Sequence, residues 1–97
     1  MIKIEFLKPE DFIKFYTENI NKENWKNADI KYGESVYIHN KIVEKNDIKS
    51  LEDLYMWWDL SRPKSFQNYR SFSTGDKIIW NDKLYIVDKI GFMEIEE

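Results

Sequence analysis

Cysteine is absent from the 97 residues and histidine occurs once, as His39. The first absence excludes a disulfide framework, a thiolate nucleophile and a thiolate metal site. The second excludes any site that needs two imidazoles from one chain. Three glycines, at 33, 75 and 91, are too scattered for a phosphate-binding loop. No apolar run approaches the ~18 residues that span a bilayer. The opening Met1-Ile2-Lys3-Ile4-Glu5-Phe6 alternates where a signal peptide would be continuously apolar. These features predict an unprocessed cytoplasmic protein with no membrane partner. Charge of either sign is also modest: 15 Lys and Arg against 18 Asp and Glu leave −3, too little for a mimic of nucleic acid.

What remains is apolar and aromatic. Hydrophobic residues make up 42% and charged residues 34%, a balance that sets the chain apart from disordered and low-complexity sequences. Four Trp, six Tyr and six Phe are many rings for one small core, and the length suits a single domain over 1–97.

Period and punctuation predict an α+β fold: two helices packed on a small antiparallel sheet that ends in a three-stranded β-meander. Ile2, Ile4 and Phe6 share one side of a strand. Pro9 suits a first helical turn, with Glu10 and Asp11 at the positive dipole end. Phe12, Phe15, Tyr16 and Ile20 then recur at helical spacing, predicting a helix over 9–20. Residues 21–31 read as loop. Glu34–His39 is β-rich, Asn40-Lys41 is a candidate tight turn, and Ile42–Glu44 is a candidate return arm of a hairpin. Ser50 and Asp53 approximate a capping box for a second helix, whose buried stripe is Leu51, Leu54, Tyr55 and Trp58. Residues 61–74 form a connector. Lys77–Trp80 and Lys83–Val87 flank Asn81-Asp82, a fair type I′ turn, and Ile90–Ile95 makes the last strand, with Gly91 a candidate bulge.

No catalytic constellation accompanies His39, which reads as a surface residue. The carboxylates lack the alternating oxygen pattern of a calcium loop. No enzyme activity, metal or cofactor is therefore expected. Helical geometry places Trp57 about 100° from Trp58, so it is either exposed at a partner surface or covered by Phe66, Tyr69 and Phe72 of the connector. Arg62 and Arg70, the sole arginines, could rim such a surface. Arg70 could equally pin the connector by bonding backbone carbonyls, the role we favour for it. Candidate binding residues are thus Trp25, Trp57, Arg62, Phe66, Tyr69 and Arg70. Segment 61–91, with six basic residues against three acidic, is the only stretch suited to nucleic acid, and its cations alternate with carboxylates rather than forming a stripe. Self-association through sheet edges leaves monomer and homodimer both open.

Leu51-Glu-Asp-Leu-Tyr-Met-Trp-Trp-Asp-Leu-Ser-Arg-Pro63, Tyr69-Arg-Ser-Phe-Ser-Thr-Gly-Asp76, Tyr85-Ile-Val-Asp88 and Gly91-Phe92 together resemble the YodL-like family over residues 34–95. Residues 1–33 form a strand-helix-loop lead outside it. Trp58-Asp59 stands where the family favours Phe-Asn, and Phe72 and Thr74 replace Leu and Val. The resemblance implies a setting in phages and mobile elements and supplies no catalytic residues. It leads to the expectation of a small non-enzymatic module that binds another protein. In its most specific form the module inhibits a host defence nuclease (anti-CRISPR or anti-restriction) by steric occupancy. The alternative is a nucleic-acid accessory protein that uses 61–91.

Overall fold

The computed structural model describes residues 1–96. Chain order is β1 (Ile2–Leu7), α1 (Pro9–Thr17), β2 (Tyr32–Ile38), α2 (Asn40–Lys45), α3 (Leu51–Ser61), β3 (Lys77–Trp80), β4 (Lys83–Val87) and β5 (Phe92–Ile95), with single 3-10 turns at Trp25–Asn27 and Lys64–Phe66. The strands form one sheet in the order β2-β1-β3-β4-β5, every neighbouring pair antiparallel. The architecture is α+β and ends in the β3-β4-β5 meander. β1 lies between β2 and β3, so the lead segment and the rest of the chain share one sheet. Among the described residues, no helix is long and apolar enough to cross a membrane.

The period-2 rule explains how so many rings are housed. Ile2, Ile4 and Phe6 of β1 face one layer, where they meet Ile78 and the α3 side chains Leu54 and Trp58. Leu7 faces the other layer, with Phe15 of α1 and Leu84 and Ile86 of β4. A sheet covered on both faces has two interiors. Of the aromatic side chains, Tyr16 and Tyr37 are the ones that stand among the large exposed hydrophobics. Rings too many for one small core are thus mostly housed, because a sheet covered on both faces offers two.

Local chemistry fixes the boundaries. Pro9 opens α1, with Glu10 and Asp11 in its first turn, and the helix ends at Thr17 rather than Ile20. Asn19 turns the chain at positive φ, while Ile20 N still donates to Phe15 O at 3.3 Å. Ser50 caps α3: its Oγ accepts from Asp53 N at 3.1 Å, and Asp53 Oδ2 accepts from Lys49 N at 3.1 Å. Asn81 and Asp82 both adopt positive φ, 54° and 62°, as a type I′ turn requires. The hairpin expected at 34–44 is not formed. After Ile38 the chain enters α2, with Ile42 N and Val43 N both donating to His39 O; Ile42 and Val43 pack on the first core, and this contact overrides their β preference. The last strand starts at Phe92, because Gly91 at φ 76° belongs to the preceding turn. Along β2 the pairing runs Glu5↔Ser35, then Leu7↔Tyr32. The extra residue is a bulge that interrupts an exposed edge strand, a device that discourages edge-to-edge pairing.

Candidate functional site

At the end of the sheet where β4 passes into β5, the connector returns from α3 and is locked in place by one buried carboxylate. Asp76 is 0% exposed. Its Oδ1 accepts from Leu7 N at 2.8 Å and Arg70 Nη2 at 2.7 Å. Its Oδ2 accepts from Arg70 Nη1 at 2.7 Å and Ser73 N at 2.8 Å. Arg70 also donates to Ser71 O at 2.9 Å and Leu7 O at 3.2 Å, and its Cζ lies 5.0 Å from the ring centroids of both Phe6 and Phe12. These two rings belong to opposite layers, so the guanidinium joins the two interiors. A bidentate fork saturates a carboxylate in a way an ammonium cannot. Gly75 completes the junction at φ +100°, where an added Cβ would lie 2.6 Å from Leu7 Cδ2. The Arg70-Ser-Phe-Ser-Thr-Gly-Asp76 run is therefore a folding device, and Arg70 pins the connector through carbonyls as its favoured reading predicted.

The other sequence-selected residues divide between the two layers. Trp57 is 7% exposed and packs in the first core, which decides against its exposed alternative. α3 buries a stripe wide enough to include both Trp57 and Trp58. Phe66, Tyr69 and Phe72 cover Trp58 rather than Trp57. Phe72 stacks on the indole at 5.2 Å and Phe66 at 5.7 Å, Tyr69 lies tilted at 6.2 Å, and Trp58 Nε1 donates to Arg70 O at 2.9 Å. Arg62 Nη1 donates to Tyr69 O at 2.6 Å, with its guanidinium 5.2 Å from the Trp58 ring. Trp25 stands in the second layer, half-buried. The expected patch of Trp25, Trp57, Phe66 and Tyr69 rimmed by arginines is not assembled, since Trp25 lies in the opposite layer from the other three, Trp57 is buried, and both arginines are engaged internally.

Trp25 instead roofs a polar ladder on the second face. Its Nε1 donates to Tyr32 Oη at 3.3 Å, and Tyr32 Oη donates to Gly75 O at 2.8 Å. Burial pushes the Tyr32 phenol up, against the lowering contact from Trp25, so it remains a donor. The Lys77 ammonium sits 4.8 Å from the Tyr32 ring and 5.7 Å from that of Trp25. It meets Glu5 Oε2 at 2.6 Å as an ion pair rather than an aligned hydrogen bond, and Lys3 reaches Glu5 Oε1 at 3.3 Å. Burial raises the Glu5 carboxyl, but the contacts with Lys77 and then Lys3 outweigh it and hold the group below its ordinary value. With Lys83 paired to Glu94 and Lys89 over Tyr16, most cations of 61–91 are committed within the molecule. That commitment weakens the nucleic-acid reading.

Beside the junction lies a groove of about 440 Å³ between α1, α3 and the β4–β5 turn. Tyr55, Phe72 and Phe92 make its floor, with Tyr55 edge-on to the other two rings at 5.8 and 6.4 Å. Tyr16 walls it on the α1 side, and Glu52, Met56, Asp88 and Lys89 stand at its rim. Met56 is 57% exposed, Leu60 75% and Ile90 95%. Glu52, Met56 and Leu60 follow at intervals of four, forming one ridge of α3. The outward spacing of Met56 and Leu60, opposite the buried stripe, was the available sequence signal for this surface. Ile90 could not be assigned to it without knowing that Gly91 ends a turn. His39 lies exposed at the head of α2 without capping it. Among the described residues no three His, Asp or Glu side chains gather as metal ligands. The sequence matches no family model, and neither a curated protein nor a solved structure matches it.

Proposed function

We propose that the chain works by binding another protein, with the groove and its ridge as the docking face. The observation that carries this is the exposure of Met56 on a groove with an aromatic floor, with exposed Leu60 one turn further along α3 and exposed Ile90 between the groove residues Lys89 and Gly91. Exposed apolar side chains at the edge of an aromatic groove mark interaction surfaces. The inner packing does not require them, because the floor rings already pack on one another. In the most specific version the partner is a host defence nuclease, blocked by steric occupancy. The resemblance of residues 34–95 to a mobile-element family supports that choice, and occupancy asks for a surface rather than a reactive group.

The test is inhibition of purified CRISPR effectors and restriction enzymes by the full chain, set beside its Met56→Glu, Leu60→Glu double variant. The expected outcome is stoichiometric inhibition by the parent and none by the variant at unchanged melting temperature. Equal inhibition by both would remove the groove from the mechanism. Inhibition by neither would leave the nuclease version without support.

A further inference from the structure

We infer that the groove receives a basic, apolar segment of the partner, one that places Lys or Arg side chains against the rings between Glu52 and Asp88. This deepens the protein-binding reading and rests on it. Charge complementarity selects the occupant. The four helical neighbours of Met56, at three and four residues either side, are Glu52, Asp53, Asp59 and Leu60. An exposed methionine is thus ringed by three carboxylates, and α3 contains no Lys or Arg. Across the groove Asp88 adds a fourth carboxylate. Its Oδ1 accepts from Lys89 N at 2.7 Å, which fixes its position.

Lys89 is the one cation at the rim, and it shows what the wall accepts: its ammonium lies 5.4 Å from the Tyr16 ring centroid. Tyr55 and Phe92, half-buried in the floor, offer further rings, and a cation held between ring faces and carboxylates gains from both. Met56 supplies an unbranched contact that adapts to an aliphatic side chain. An acidic segment would meet like charge on both rims, which disfavours it. The net charge of −3 acts in the same direction at long range.

Three amphipathic peptides of about five helical turns, identical in a leucine face and carrying Lys, Gln or Glu elsewhere, test the inference on the full chain. Binding is read by amide chemical shifts and by titration at low and high salt. The Lys peptide should bind at least about tenfold tighter than the Gln peptide, lose that margin in high salt and shift Met56, Asp88, Lys89 and Ile90. Glu52→Gln with Asp88→Asn should erase the preference at unchanged melting temperature. Equal binding of all three peptides, preference for Glu, or no binding up to about 1 mM would each overturn the inference. So would a doubled mass by light scattering that Met56→Glu returns to that of the monomer, because the occupant would then be a second copy. A failure here combined with loss of inhibition in the Met56→Glu, Leu60→Glu variant leaves the docking face standing and removes only its basic occupant. A variant that still inhibits removes the docking face itself.

Discussion

The Arg70–Asp76 junction and the Met56 groove are neighbours at one end of the sheet, and they handle polarity in opposite ways. At the junction a charge without solvent exposure is surrounded by four donors, and every group there has an internal partner. At the groove apolar side chains stand in solvent with carboxylates beside them. The junction has the chemistry of something that must hold still, and the groove that of something that awaits contact. The most motif-like residues of the chain, Arg70 to Asp76, thus serve the fold, whereas the proposed docking residues are ordinary side chains on the outside of α3.

Substitutions can break this contrast, beginning with the inner face of α3. Trp58→Ala removes a fully buried ring stacked on Phe72 and Phe66 and should cost about 3–5 kcal/mol in chemical denaturation. Arg70→Ala strands the Asp76 carboxylate and should cost about 3 kcal/mol; Arg70→Lys should recover only part of it, since an ammonium cannot make the bidentate pair. Gly75→Ala drives a Cβ to 2.6 Å from Leu7 Cδ2 at a φ of +100° and should lower stability by about 2 kcal/mol.

Smaller effects sharpen the contrast. The folded Glu5 carboxyl is held below its ordinary 4.5, so its charge contributes stability that is complete above that value and drains away as pH falls through the lower folded value. Glu5→Gln should therefore lower the plateau of a stability–pH curve above 4.5 by what the charge contributes there and flatten the acid limb below it. Met56→Glu should leave unfolding free energy within about 0.5 kcal/mol of the parent and still abolish partner binding. If Met56→Glu instead destabilises as Arg70→Ala does, the groove is part of the fold and the contrast fails.

How much of this was legible in the residues depended on distance along the chain. The Pro9 start, the Ser50 cap, the Asn81-Asp82 turn and the meander are set by neighbours within a few positions, and the sequence carried them. α2 was misread because Ile42 and Val43 favour strands locally, and only their packing against the first core makes a six-residue helix stable. The carbonyl-binding role of Arg70 could be foreseen. That its guanidinium and Asp76 would meet Leu7, which lies 63 and 69 positions away respectively, could not. The sequence leaves Trp57 between exposure and cover, because a single interior has little room for it and only the two-sided sheet supplies more. The groove was legible only as two apolar residues on an acidic helix face, since its floor comes from segments that converge in the finished fold.

The place of β1 governs how the molecule comes into being. β1 precedes its neighbour Lys77–Trp80 by some seventy residues in the chain, so this part of the sheet cannot close until β3 has been made. Contacts of such long sequence separation slow the search for the native state. In the interval, the alternating Ile2, Ile4 and Phe6 lack Ile78 from their final cover, and a nascent chain halted before Lys77 would leave that edge of β1 unpaired.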